Sequence, residues 1–192
     1  MIQDQIMLSF EEILQKKGNG PIGHSEAKQY LRHTHPVLGV DRILDHNFAE
    51  GWLHAVRAIS CSQPVFEGHF PDAAIYPGTY LIQDIIQLAI LLFIGRTGPL
   101  KQSETDQEMT VVTDVKSSFG HPVAPGNILD IAVWTEQDGK ARGSQLFCFD
   151  AKVRDFPYYK EPNPYGIAFQ SAAKGDCELR RVRRKMYVNI GI

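Results

Sequence analysis

Hydrophobic and polar positions divide this chain into one long apolar helix and a set of shorter amphipathic elements. Ser9 to Lys17 reads Ser-Phe-Glu-Glu-Ile-Leu-Gln-Lys-Lys, a short amphipathic helix. Ser9 caps it, Glu12 follows three residues later as in a capping box, and Lys16 and Lys17 suit the C-terminal end of the dipole. Gly18-Asn19-Gly20-Pro21 then breaks the pattern. Strands are expected over Val37–Leu44 and Trp52–Ser60, where β-branched and aromatic residues interleave with polar ones. A helix is expected from Gly78 to Ile94, closed by Gly95-Arg96-Thr97-Gly98-Pro99. Lys101 to Glu108 is polar and reads as a loop. Further strands are expected at Met109–Phe119, Ile128–Thr135, Ser144–Arg154 and Ile167–Ala172, with turns at His121–Asn127 and Gln137–Lys140. Asp155 to Gly166, rich in Pro and Tyr, reads as an extended connection.

The long helix is apolar nearly all round (Leu81, Ile82, Ile85, Ile86 and Leu88 to Phe93), so it must be buried on most sides. One such helix followed by antiparallel strands predicts an α+β domain in which a sheet wraps around the helix. Residues 1–26 read as an N-terminal extension docked on a main domain of residues 27–192.

Composition narrows the class further. A chain of 192 residues is long enough for one well-buried domain, and 43% hydrophobic with 22% charged residues is ordinary for a globular protein. A net charge of −2 gives no reason to expect nucleic acid or an anionic membrane as a partner. The start, Met-Ile-Gln-Asp-Gln-Ile-Met, lacks the basic and apolar regions of a signal peptide. The apolar run Leu88–Ile94 is too short for a membrane span. Cys61, Cys148 and Cys177 are odd in number and far apart, as expected of reduced structural thiols in a cytoplasm.

Candidate chemistry gathers between Phe66 and Gln87. His69 sits in a loop held by Gly68 and Pro71, and an imidazole takes and gives a proton near neutrality because its ordinary pKa is about 6.5. Pro77 and Gly78 open the apolar helix close by, where free N–H groups and the positive end of the dipole suit a carbonyl oxygen. A base beside such donors suits proton removal next to a thioester. Gln83, Asp84 and Gln87 form a narrow polar stripe on the helix. That stripe must face a cavity, a partner or water, or else make satisfied polar contacts at a subunit interface.

These residues carry a resemblance. Gly-His-Phe-Pro, then Ile-Tyr-Pro-Gly, then a helix with Gln87 resembles the hot-dog-fold (3R)-hydroxyacyl-acyl-carrier-protein dehydratases of the FabZ and FabA type. Leu31 to Arg42, with His-Pro-Val-Leu-Gly-Val-Asp-Arg, and Phe119 to Asn127, with Pro-Val-Ala-Pro-Gly-Asn, are similar to two further blocks of that family. The three blocks come in the family's order and the resemblance covers about Ala27 to Ala172. It implies a dimeric hot-dog domain with His69 as the catalytic histidine. Gly78 is then the glycine whose N–H holds the thioester carbonyl, and Gln87 the glutamine of the central helix. The family acid, contributed across the dimer interface, falls at Gln83 in this chain, and Asp84 follows one residue later, about 100° around the helix. An amide orients a hydroxyl but cannot protonate it.

The resemblance implies dehydration of a 3-hydroxyacyl thioester to the trans-2-enoyl thioester, in fatty-acid or specialised polyketide biosynthesis. His69 and Asp84 would be catalytic, and Gly78, Gln83 and Gln87 substrate-binding. It implies no metal and no cofactor, since the substrate rides on the phosphopantetheine of an acyl carrier protein. Expected partners are that carrier and a second subunit, in a homodimer, a heterodimer with a dehydratase paralogue, or a higher oligomer. Two alternatives stand beside it: a degenerate subunit of a heterodimeric dehydratase, and a hot-dog thioesterase or acyl-carrier binding module. His33 and His35, two apart on an expected strand, would share a face, without a third metal ligand nearby. Arg180-Arg181-Val182-Arg183-Arg184-Lys185 reads either as a solvated tail or as a dock for an acidic carrier. Phe156, Tyr158, Tyr159 and Tyr165 would cap an acyl tunnel or pack on the N-terminal extension.

Overall fold

The expected apolar helix is the axis on which the strands are laid. The computed structural model describes residues 8–100, 107–136, 143–154 and 169–183. In chain order it contains α1 (Phe10–Gln15), α2 (His24–Ala27), β1 (Arg42–Asn47), β2 (Trp52–Ala58), a 3-10 turn (Pro64–Glu67), α3 (Gly78–Thr97), β3 (Glu108–Phe119), β4 (Ile128–Trp134), β5 (Ser144–Arg154) and β6 (Phe169–Arg183). The strands form one sheet in the order β1-β2-β4-β5-β6-β3, antiparallel throughout.

Alternation along the strands supplies one wall of the core. Leu129, Ile131 and Val133 of β4, Phe147, Phe149, Ala151 and Val153 of β5, and Ala173, Cys177 and Leu179 of β6 share a cluster with the buried residues of α3. By length and apolar composition alone α3 has the makings of a membrane span. Its apolar side chains are spent on this core instead.

Strand β4 is buried on both faces, which is why it reads as a nearly unbroken apolar run. On the face away from α3, Ala132 and Trp134 meet Trp52 and are covered by Phe10 and Ile13 of α1. The capping box of Ser9 and Glu12 starts α1 as expected, and α1 is fastened by an ion pair from Lys152 to Glu11 and by the Lys152 ammonium 4.4 Å over the Phe10 ring.

The structure corrects five expectations. The strand expected at Val37–Leu44 begins only at Arg42. The Val37 carbonyl and the Gly39 N–H are instead bound by the Gln87 side chain, so these residues join no ladder. His33 and His35 therefore do not share a strand face. Helix α3 continues three residues past Ile94, because Gly95 is a packing glycine: a Cβ there would lie 2.7 Å from the Phe48 ring. The helix ends at Gly98, whose φ of 83° suits a residue without a side chain.

The last strand is far longer than expected and lies inside the sheet between β5 and β3. Arg180 to Arg183 thus form part of β6 rather than a solvated tail. Arg181 turns inward, its Nη2 donating to Thr97 Oγ1 (2.7 Å) and to the Gly98 carbonyl (2.6 Å), its guanidinium 5.7 Å over Phe93. Arg184 and Lys185, the turn Gln137–Lys140 and the Asp155–Gly166 segment lie outside the described residues.

Because Phe10 is fully buried against Trp52 and Trp134, Phe10→Ala should cost about 3–5 kcal/mol. Urea unfolding checks this; a loss below about 1 kcal/mol would mean that α1 does not stabilise the sheet.

Candidate active site

The 3-10 turn Pro64–Glu67 delivers the histidine. His69 N–H donates to the Val65 carbonyl (3.0 Å), and the His69 carbonyl accepts from Ile75 N–H (3.0 Å). Phe70 and Ala73 close the turn between them with two reciprocal backbone bonds. The imidazole, stacked on Phe70 at 4.1 Å, places Nδ1 2.8 Å from the Ile75 carbonyl oxygen. A carbonyl only accepts, so Nδ1 carries a proton, and in the neutral ring Nε2 is the nitrogen with the free lone pair. His69 is half-buried, placed to act as a base.

Tyr76 N–H donates to the Val123 carbonyl (2.7 Å), tying the histidine loop to the Pro-Gly turn before β4. The next residue, Pro77, is the N-cap of α3 and offers no side-chain cap, so Gly78 begins the helix with an N–H that no described group accepts. A Cβ at Gly78 would lie 2.9 Å from the Phe119 ring, so a side chain there would have to push that exposed ring aside. An uncapped helix start at a glycine admits close approach of a carbonyl oxygen.

The three polar residues of the helix do different things. Gln87 is fully buried and both ends of its amide are used, Nε2 donating to the Val37 carbonyl (2.8 Å) and Oε1 accepting from Gly39 N–H (2.9 Å). Gln83 is half-buried and makes only a long 3.4 Å contact to the same Val37 carbonyl, which leaves its amide available. Asp84 is 4% exposed, and its Oδ2 accepts from Arg57 Nε (3.1 Å) and from the Tyr76 hydroxyl (2.8 Å). Its Oδ1 rests against Gly39, where a Cβ would lie only 1.6 Å away.

Arg57 also bonds Asp41 Oδ1 (3.1 Å), whose other oxygen takes Ala58 N–H (2.8 Å). One guanidinium therefore serves two carboxylates. Burial works to lower the Arg57 pKa, but Asp84 and Asp41 outweigh it and hold the cation well above its ordinary range. Burial pushes Asp84 up to about 6, with Arg57 and Tyr76 pulling the other way. Burial and the Asp84 charge together hold the Tyr76 hydroxyl protonated.

Asp84, Gln83, Tyr76, Tyr80, Arg57 and Asp41 line a cavity of about 560 Å³ under the Val37–Gly39 loop. The structure thus joins Gln83 and Asp84 in one cavity, while His69 and Gly78 are not among its walls. Arg57, Tyr76, Asp41 and Gly39 were not singled out from the sequence. The signals were present in Val-Asp-Arg, in the tyrosine before Pro-Gly and in a lone arginine on an apolar strand. Among the described residues no group of three His, Cys, Asp or Glu could hold a metal ion.

A family model described as a FabA-like domain matches residues 31–155. The chain belongs to the FabA-like family. A relative, the coronafacic acid dehydratase of Pseudomonas savastanoi pv. glycinea, is 37% identical over 115 residues, covering 60% of this chain and 67% of that protein. The 3-hydroxyacyl-[acyl-carrier-protein] dehydratase FabZ of Colwellia psychrerythraea is 33% identical over 134 residues, covering 69% and 85%. Among solved structures, Cj0977, a sigma28-regulated virulence protein from Campylobacter jejuni, superposes with a TM-score of 0.51 at 10% identity, covering 81% of this chain and 85% of that one. A hot-dog-like protein from Thermanaerovibrio acidaminovorans gives a TM-score of 0.49 at 14% identity, covering 80% and 90%. The expected FabA-like resemblance is borne out, as is the hot-dog fold.

The raised Asp84 pKa has a sign that unfolding measures. An aspartate in the unfolded chain titrates near 4, whereas Asp84 keeps its proton to about 6. Between these values the folded form binds more protons, so rising pH draws stability away. From pH 4 to 6 the wild type should lose about 2 kcal/mol relative to Asp84→Asn. Urea unfolding of both at stepped pH checks this; a pH-independent difference would mean that the carboxyl titrates normally.

Proposed function

We propose that this protein dehydrates a 3-hydroxyacyl thioester, carried on the phosphopantetheine of an acyl carrier protein, to the trans-2-enoyl thioester. The observation that carries this reading is the His69 imidazole, held through Nδ1–H by the Ile75 carbonyl on the loop that leads into the uncapped start of α3, which in the neutral ring leaves Nε2 as the base. Names of FabA-like relatives, a FabZ dehydratase and a coronafacic acid dehydratase, support the same chemistry. Nε2 removes a proton from C2 while Gly78 N–H bonds the thioester oxygen and stabilises the charge that develops there. The C3 hydroxyl departs as water with a proton from Asp84, and the Gln83 amide orients it. The proton on His69 then returns to Asp84 through solvent, closing the cycle. A carboxyl raised to about 6 suits a proton donor in weakly acidic to neutral solution.

The reaction needs an acid and a base and no further cofactor. The pathway is fatty-acid or specialised polyketide synthesis, and the setting is the cytoplasm. The site is shared between two subunits. Support for pairing comes from β3, a twelve-residue strand that no described strand flanks on its outer side and whose Val112 is 38% exposed. The protein should then sediment as a dimer, and Val112→Lys, which sets like charges near one another across a two-fold axis, should weaken it. A monomeric wild type would overturn the pairing.

A second reading is favoured by the hold that Arg57 and Tyr76 keep on Asp84: a subunit that lends His69 to a paralogue supplying the acid. Mass spectrometry of carrier-bound 3-hydroxyacyl substrates separates the two. If Asp84 is the donor, His69→Ala and Asp84→Asn each lose about 10²–10⁴-fold in rate, and wild-type activity declines as pH rises above about 6. If the acid is missing, the pure protein is inert, and either Gln83→Glu or a complementary paralogue restores turnover. Release of free acid and thiol with no enoyl product would overturn both in favour of a thioesterase, and binding of the acyl carrier without turnover in any of these conditions would leave a binding module.

A further inference from the structure

The two oxygens of the Asp84 carboxyl stand in different surroundings. Oδ2 accepts from both Arg57 Nε (3.1 Å) and the Tyr76 hydroxyl (2.8 Å). Two donors fill the two lone pairs of a carbonyl-type oxygen, which leaves no room for a proton there. Oδ1 accepts no hydrogen bond from any described residue, yet it is not sealed from the outside. It rests against Gly39, whose missing side chain gives it space, and the residue lines the cavity of about 560 Å³. The protonated acid is therefore a C=O at Oδ2 and an O–H at Oδ1, and the O–H is the end without a partner inside the chain.

The groups at Oδ2 are themselves held. While Arg57 Nε serves Asp84, Nη1 donates to Asp41 Oδ1 (3.1 Å), so two carboxylates divide one guanidinium. The charge of Asp41 works against ionisation of Asp84, whereas the Tyr76 hydroxyl, a donor to the carboxylate, works for it. These three come from β2, from the segment before β1 and from the histidine loop. His24, His35 and Tyr80 line the same cavity, and none of them hydrogen-bonds the carboxyl.

We propose that Arg57, Tyr76 and Asp41 are positioning residues for water loss: Arg57 and Tyr76 grip the carboxyl by Oδ2, so that Oδ1 alone presents the proton to the leaving hydroxyl, and Asp41 keeps that proton in place until the substrate arrives. These roles rest on the reading of Asp84 as the proton donor. As the C2–H pair becomes the C2=C3 bond, the C3–O bond breaks, and the oxygen takes the Oδ1 proton and departs as water. The charge left on the carboxylate strengthens bonds already made at Oδ2, so nothing has to rearrange.

The test is the infrared C=O stretch of the protonated carboxyl, isolated in each protein at about pH 4 as its difference from the matching Asp84→Asn variant. Hydrogen bonds to a carbonyl oxygen lower this stretch, so Tyr76→Phe and Arg57→Met, each removing one donor from Oδ2, should raise its frequency. As pH rises the band vanishes at the midpoint of the carboxyl. Tyr76→Phe should move that midpoint up by about one pH unit. Asp41→Asn should move it down, by less because the Asp41 side chain is 39% exposed. The alkaline limb of kcat should follow the band in both variants, and Tyr76→Phe should lower kcat on the acid plateau about tenfold with KM little changed. A band that ignores Tyr76→Phe would put the proton on Oδ2 and overturn the proposal. Midpoints that stay fixed or move together would overturn it as well, as would a kcat limb that does not follow the band. If no enoyl product forms at any pH, the dehydratase reading has failed for the isolated chain. The band then decides the arrangement alone: a raised frequency with opposite midpoint shifts sustains it, and any other result overturns it.

Discussion

A helix enclosed by its own sheet leaves its polar side chains no water to turn to, and much of this structure follows from that constraint. Gln87 and Asp84 lie on the buried length of α3, and each must find partners within the chain. Gln87 finds them in the backbone of Val37 and Gly39, which pulls that segment off the sheet and lays it along the helix. Asp84 finds them in Arg57 and Tyr76, one from β2 and one from the histidine loop. The same bonds that satisfy the helix therefore fix the loop over the cavity, the arginine at its side and the residue that precedes Pro77.

What could be read from the sequence and what could not divides along the range of the interactions. The capping box of α1, the apolar circumference of α3 and the strand β5 from Ser144 to Arg154 depend on neighbours within a turn or on strict alternation, and they stand where expected. The histidine loop could be read because Gly, Pro and His stand in a fixed local order. The start of β1 could not: Val37 to Leu44 has strand-like residues, but a glutamine nearly fifty positions later claims their backbone. Likewise β6 is longer than its apolar residues indicate, because Arg181 finds inward partners at the end of α3 that no local pattern announces.

The candidate site divides in the same way. The base and the helix terminus come from one continuous stretch, so the residues from His69 to Gly78 could be named as a unit. Asp84 could be named, but not its environment, since Arg57, Tyr76 and Asp41 arrive from three separate segments. Family membership does not remove that difficulty. It identifies the scaffold, while the helix carries an amide at position 83 and a carboxyl at 84 that share a cavity but face different partners.

Gly39 leaves the space that the Asp84 carboxyl fills. Any side chain at that position would occupy the space of the Asp84 carboxyl, so the two residues exclude one another unless one of them is small. An acid introduced at position 84 of a hot-dog protein with a bulky residue over the helix would displace the covering loop before it met an arginine. The carboxyl and the empty position therefore go together, and transplanting the acid to another protein of this fold means moving the vacancy along with the charge.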